Sequence, residues 1–211
     1  MYHIFKRTID IVGSVVIGIL FLPLALLTMA AIKLDSPGPV LADTPERVGK
    51  NGRLFKLYKF RSMVINAHDL LRSNPKFKKL YEQYKKNSYK LYEDPRVTRI
   101  GKYIRKHSLD EIPQLVNVLK GDMSLVGPRP YYPDELDEQQ KKYPQTKRLV
   151  KIVLSAKPGI TGSWQVSGRS DVNFDKRIKI DAEYVSSESI HKDLQILLKS
   201  PIVMITGKGA V

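Results

Sequence analysis

One apolar run dominates the hydropathy pattern. Between Ile9 and Ile32 the only charged residue is Asp10. The roughly 22 residues after it are enough to cross a hydrocarbon core of about 30 Å. Three arrangements compete for this run. A cleaved signal peptide has the basic start (Lys6, Arg7), but the run is long and Ala30-Ala31 is a weak cleavage site. A simple spanning anchor fits by length alone. A re-entrant helix-break-helix is favoured by Pro23, which lacks a backbone donor and crowds the carbonyl of Ile19, so a break is expected there. The arms on either side, Ile11 to Leu22 and Leu24 to Ile32, would rise about 18 Å and about 14 Å, each close to half a bilayer. Both flanks are basic, Lys6 and Arg7 before and Lys33, Arg47, Lys50 and Arg53 after, which favours the cytoplasmic side for both ends. The expected organisation is a membrane hairpin over residues 1–36 followed by a cytoplasmic domain over residues 37–211.

Beyond the run the pattern is mixed and mainly helical. Asp35-Ser36-Pro37-Gly38-Pro39 ends the first helix. Val40-Leu41 begins a short strand. Gly49-Lys50-Asn51-Gly52 predicts a tight turn, because Asn-Gly tolerates positive φ, and Leu54 to Phe60 is the return strand of a small β-hairpin. Residues 64 to 92 predict a helix with Phe77, Leu80, Tyr81 and Tyr84 on one face. Its basic, Tyr-rich surface suits lipid or nucleic acid, but a solvated helix packing its aromatics on the domain is the favoured reading. Pro158 to Arg169 is a Gly-rich loop of the kind that brings backbone amides to an anion or simply connects elements. Ser189 to Met204 predicts an amphipathic helix broken at Pro201, docked on the core or dipping into the bilayer interface. The fold class is therefore mainly α with a small β-hairpin, the membrane segment and interfacial helices surrounding a catalytic domain.

Composition narrows the chemistry. With no cysteine among 211 residues, disulfides, thiolate metal sites and a Cys nucleophile are excluded. A net charge of +15 implies a polyanionic partner: nucleic acid, anionic lipid or a phosphorylated small molecule. The chain carries no Walker A loop, no G-x-G-x-x-G and no G-x-S-x-G elbow.

Against that basic background, Asp110 and Glu111 stand together in Ser108-Leu109-Asp110-Glu111-Ile112-Pro113. Ser108-x-x-Glu111 matches a capping box. Pro113 opposes it, since a proline five residues into a helix costs about 3 kcal/mol. The helix is thus expected to start between Glu111 and Pro113, with Asp110 ahead of it facing the positive helix end. An ionised carboxylate there suits a metal ligand or a nucleophile, while capping remains an open alternative. His107, between basic neighbours, reads as a surface residue.

The ordered motifs Lys6-Arg7-Thr8-Ile9-Asp10, Gly38-Pro39-Val40, Lys59-Phe60-Arg61-Ser62-Met63, Asp94 to Gly101, Ser108 to Pro113, Asn117 to Ser124, Pro128-Arg129-Pro130, Pro158 to Arg169 and Asp181-x-x-Tyr184-Val185 run along nearly the whole chain. Together they resemble the bacterial sugar transferases, the small monotopic phosphoglycosyl transferases. The stretch from Met63 to Asp94 and the Trp164 to Arg169 segment look most like the galactose or glucose phosphotransferase subgroup. Two positions depart from the family pattern: Leu22 stands where many members have Ser before the hairpin proline, and Pro45 where they have Gln.

The resemblance implies transfer of a sugar 1-phosphate, in this subgroup a hexose 1-phosphate, from a UDP-sugar to a polyprenyl (undecaprenyl) phosphate, with Mg²⁺ and release of UMP. The implied route is ping-pong through an aspartyl phosphosugar on Asp110, with Glu111 as its partner and both as metal ligands. Such a reaction would be the first membrane step of exopolysaccharide, capsule, O-antigen or glycoprotein glycan assembly. Phosphate contacts fall to Lys59, Arg61, Arg105, Pro128, Arg129, Gln165 and Arg169. The expected location is the cytoplasmic face of the bacterial inner membrane, in contact with membrane lipid; a homodimer is left open and no nucleic acid is expected. The rival reading is a membrane-tethered nucleic-acid-binding module, whose binding would fall with salt and ignore Asp110.

Overall fold

The computed structural model describes residues 1–89, 91–167 and 172–206. The apolar run lies in one helix, α1 (Tyr2–Asp35). It continues through Pro23, where the sequence reading expected a break. A helix interior tolerates one missing hydrogen bond when packing holds the turns on either side. Thr28 Oγ1 donates to the Leu24 carbonyl (2.8 Å), so this hydroxyl is not used on the carbonyl of Ile19. The helix ends at Asp35, with Ser36 extended, where the Ser-Pro-Gly-Pro stretch begins.

Two short pairings follow. β1 (Arg47–Val48) and β2 (Leu54–Phe55) are antiparallel around the expected turn, with Asn51 at φ 57° and Gly52 at φ 80°. The predicted hairpin is present but shorter: Leu41 and Phe60 meet only as an isolated antiparallel bridge. The predicted helix over 64 to 92 is divided into α2 (Ala67–Ser73) and α3 (Lys78–Lys86). Pro75 ends the first, and the Asn74 side chain accepts from the Lys76 amide to start a 3₁₀ turn between them. Phe77, Leu80, Tyr81 and Tyr84 are half-buried while most neighbours are exposed, as the amphipathic pattern requires.

The remainder is α4 (Arg99–Lys106), α5 (Gln114–Lys120), β3 (Ser124–Val126), α6 (Pro133–Lys142), α7 (Lys147–Val153), β4 (Gly159–Thr161), α8 (Ser163–Ser167), α9 (Phe174–Ser186) and α10 (Ile190–Thr206). β3 and β4 pair in parallel, Ser124 opposite Gly159 and Val126 opposite Thr161, with α6 and α7 in the crossover. Glycine here permits close backbone approach: a Cβ on Gly159 would lie 2.1 Å from the Gly127 nitrogen. The described part of the Gly-rich loop thus packs against backbone, which explains its glycines without an anion. α10 runs unbroken through Pro201, contrary to expectation.

Three apolar clusters hold the elements together. Leu115, Val118, Met123, Leu125 and Val126 form the first with Tyr184 and Ile196. Tyr131, Leu136, Val150, Val153, Phe174 and Ile178 form the second. In the third, Ala25 and Ile32 of α1 meet Phe60, Ile104 and Leu109. Near its N-terminus, Asp10 of α1 accepts hydrogen bonds from Ser124 Oγ and the Leu125 amide, both 2.9 Å. Lys6 and Arg7 donate to the carbonyls of Val126 and Val118. At its other end, Arg61 donates to Ser36 Oγ and to the Ser36 and Pro39 carbonyls. One body of protein therefore grips both ends of α1. Its free face exposes Val12, Val16, Ile19, Leu20, Leu26 and Leu27, and α5 and α10 expose Val116, Leu119, Leu198, Ile202 and Ile205.

Candidate active site

Ser108 adopts a left-handed backbone (φ 55°), uncommon for a residue with a Cβ, and turns the chain sharply after α4. Leu109–Glu111 then forms a 3₁₀ turn, and Ser108 makes no side-chain capping bond to it. Pro113 stands immediately before α5 at φ −63°, so the capping-box alternative gives way and Asp110 precedes the helix. The turn is anchored from both sides. Leu109 packs with Ala25 and Ile32 of α1, and the Phe60 amide donates to the Asp110 carbonyl at 2.9 Å.

This turn brings Asp110 and Glu111 to the wall of a cavity of about 340 Å³, lined also by Lys59, Arg105, Gln114, Arg129, Trp164 and Gln165. Lys59 Nζ lies 3.2 Å from Asp110 Oδ2 and 3.0 Å from Glu111 Oε1. Burial pushes the Asp110 carboxyl above the usual carboxylate range, and Glu111 adds to the rise against the pull of Lys59 and Arg105. Burial opposes the charge on Lys59, but its two carboxylate partners outweigh burial and raise it above the ordinary lysine value. A cation thus already sits between the two carboxylates. That is the donor set a hard divalent ion uses when substrate phosphates complete its shell. Among the described residues no cluster of three or more His, Cys, Asp or Glu offers a self-sufficient metal cage.

The remaining expected residues fall into three groups. Arg129 lies over the Trp164 ring (5.5 Å), its amide donates to Asp181 Oδ2 (3.2 Å), and its Nε is buried without a partner among the described residues. Gln165 Nε2 donates to the Ile160 carbonyl (3.2 Å), leaving Oε1 without a partner among the described residues. Arg61 lines the cavity, but all three guanidinium nitrogens are engaged at the end of α1. Pro128 shapes the backbone instead, its carbonyl accepting from the Gly159 amide (2.8 Å). Arg169 lies outside the described residues.

Sequence reasoning missed the support beneath Arg129. Arg177 and Glu135, each 0% exposed, form an ion pair at 3.2 Å. Arg177 also faces the rings of Tyr131 (5.3 Å) and Trp164 (5.6 Å). Asp181 is fully buried beside them, and burial pushes its carboxyl up to about 7 against the pull of the Arg129 amide and Arg177. The apolar spacing of α9 signals a buried face and the Asp181-x-x-Tyr184-Val185 motif singles out Asp181, but neither shows that Arg177 and Asp181 lie on that face.

Residues 1–207 match the family model described as bacterial sugar transferase. The undecaprenyl-phosphate galactose phosphotransferase of Salmonella typhimurium is 45% identical over 205 residues, covering 97% of this chain and 41% of that protein. The exopolysaccharide production protein ExoY of Rhizobium meliloti is 39% identical over 209 residues, covering 97% of this chain and 87% of that protein. The undecaprenyl-phosphate glucose phosphotransferase of Komagataeibacter xylinus is 40% identical, covering 91% of this chain and 34% of that protein. The chain thus spans less than half the length of the Salmonella and Komagataeibacter proteins. From the match over residues 1–207 and these identities, the chain belongs to the bacterial sugar transferase family.

Proposed function

We propose that this chain is a phosphoglycosyl transferase that moves a hexose 1-phosphate from a UDP-sugar to undecaprenyl phosphate, releasing UMP. The observation that carries the reading is the Asp110–Glu111 pair, held with Lys59 on a cavity wall whose supporting turn packs directly on α1. The names of the relatives supply the substrate classes, and the exopolysaccharide proteins among them suggest glycan assembly as the setting.

A carboxylate oxygen of Asp110 attacks the β-phosphorus of the donor. The β-phosphorus–oxygen bond to the nucleotide breaks, and UMP leaves with its electron pair. An oxygen of the lipid phosphate then attacks the aspartyl phosphosugar, returning the carboxylate and forming the lipid diphosphosugar. Covalent catalysis splits one difficult transfer into two in-line displacements. Lys59 and Arg105 beside the dyad, with Arg129 across the cavity wall, offset the charge that develops on the phosphoryl oxygens. Asp110 and Glu111 would hold Mg²⁺, which supplies charge neutralisation on the diphosphate when bound.

The membrane arrangement belongs to the same proposal. One body of protein grips both ends of α1, so a straight crossing would carry one anchor point away from that body. The exposed apolar faces of α1, α5 and α10 instead form a platform that lies in one leaflet, with both ends of α1 on the cytoplasmic face of the inner membrane. The chain has no cysteine, so single-cysteine labelling is clean. His3→Cys and Asp43→Cys, at side chains 77% and 83% exposed, should both react with an impermeant maleimide from the cytoplasmic side. Labelling from opposite faces contradicts the platform.

The activity is tested by UMP release from a panel of UDP-sugars with undecaprenyl phosphate and Mg²⁺. Release with UDP-galactose or UDP-glucose that disappears in Asp110→Asn supports it, and no release from any donor rejects it. Salt-sensitive oligonucleotide binding indifferent to Asp110, without turnover, would favour the nucleic-acid module.

A further inference from the structure

The α2–α3 segment has no part in the chemistry above, yet it closes one wall of the cavity. Ion pairs Arg72–Asp134 and Lys85–Glu138, with a hydrogen bond from Tyr89 Oη to Glu138 Oε2 (2.8 Å), clip it onto α6. Clipping fixes His68 in the cavity lining, its ring centre 5.4 Å from that of Tyr132. Against the same Tyr132 ring lies the Arg47 guanidinium, 3.2 Å from the ring centre.

Two polar atoms in this wall lack partners among the described residues. Arg47 Nε and His68 Nε2 are shielded from water and unpaired, although Arg47 Nη1 reaches the Pro130 carbonyl at 3.4 Å. Buried polar groups are almost always paired, so two orphans beside one aromatic ring mark a place where a ligand supplies the partners. Burial, reinforced by Arg72 and Arg47, pushes His68 down to about 4, leaving a neutral imidazole able to accept a hydrogen bond.

We propose that the wall of the cavity formed by Arg47, Tyr132 and His68 seats the pyrimidine ring of the nucleotide donor and reads its imide edge through Arg47 Nε and His68 Nε2. The inference rests on the transferase reading. Asp110 attacks in line, so the leaving nucleotide extends away from the dyad while the sugar stays on the transferred phosphoryl group. Flat aromatic and guanidinium surfaces suit a base ring, which stacks on such groups. With its proton on Nδ1, His68 accepts from an imide N–H, and Arg47 Nε donates to the adjacent carbonyl. Uracil presents that donor–acceptor edge; cytosine, with an unprotonated ring nitrogen, does not.

The test compares wild type, His68→Phe and His68→Gln in detergent, each checked by thermal melting. Inhibition by UMP and CMP and the split between KM and kcat are measured with a UDP-sugar. UMP should inhibit wild type better than CMP. In His68→Phe the preference should fall about tenfold, the loss appearing in KM, and His68→Gln should restore part of it. An unchanged UMP-to-CMP ratio, or a shift in preference among UDP-sugars instead, overturns the assignment. Absence of turnover in wild type would count against the transferase reading alone, because UMP and CMP binding by calorimetry on the same proteins still tests the subsite.

Discussion

Two clusters in this molecule use similar ingredients for different ends. Each joins carboxylates to a basic side chain: Asp110 and Glu111 with Lys59, and Glu135 with Arg177 beside Asp181, which accepts from the Arg129 backbone amide. The first opens on a cavity, with Lys59 side-chain exposure at 23% and Glu111 at 32%. The second is sealed, with Arg177, Glu135 and Asp181 all at 0%. A sealed ion pair repays its desolvation only through close geometry, and neither partner can leave without stranding the other. An open cluster can turn its internal cation toward the anionic oxygens of a substrate. Enclosure separates the cluster that supports the fold from the one suited to chemistry.

The largest effect that can break this comparison is on turnover. Asp110→Asn should lower sugar-phosphate transfer at least about 10³-fold while changing stability by less than about 1 kcal/mol, measured by UMP release and a thermal melt. Next, Arg177→Met should destabilise the fold by about 3–5 kcal/mol, because Glu135 is left buried and unpaired. Denaturant unfolding measures that loss, and a stable variant would show the sealed pair to be dispensable. Lys59→Met should lower turnover about 10²-fold with a smaller cost in stability.

The smallest effect is a pH dependence. Asp181 holds its proton to about pH 7 in the fold but only to about 3.9 when unfolded. Between those values the folded protein binds the extra proton, so stability falls as pH rises through that window. Asp181→Asn should flatten this slope in melting temperature between about pH 4 and 7. An unchanged slope would place the titrating group elsewhere.

The open cluster was the more legible of the two in sequence. Adjacent carboxylates, a proline that excludes the simple cap and a basic background are local signals, and Asn51-Gly52 marked its turn equally well. The sealed cluster depends on pairings 42 and 52 residues apart, which no local pattern encodes. Arg61 looked like a phosphate donor because charge is visible in sequence, whereas its bonds to Ser36 and Pro39 are not. Pro23 and Pro201 predicted breaks from backbone chemistry alone, yet both helices continue through them. Asp10 read as the edge of an apolar run, but its carboxylate docks α1 on Ser124 and Leu125.

The central claim is that Asp110 carries the sugar phosphate, and intact mass measurement tests it most directly. Incubation with Mg²⁺ and UDP-galactose or UDP-glucose, without lipid acceptor, should add the mass of one hexose phosphate to wild type and nothing to Asp110→Asn. The adduct should disappear when undecaprenyl phosphate is supplied. An unmodified wild-type chain that still releases UMP in the complete reaction, or an adduct that persists in Asp110→Asn, would contradict the account.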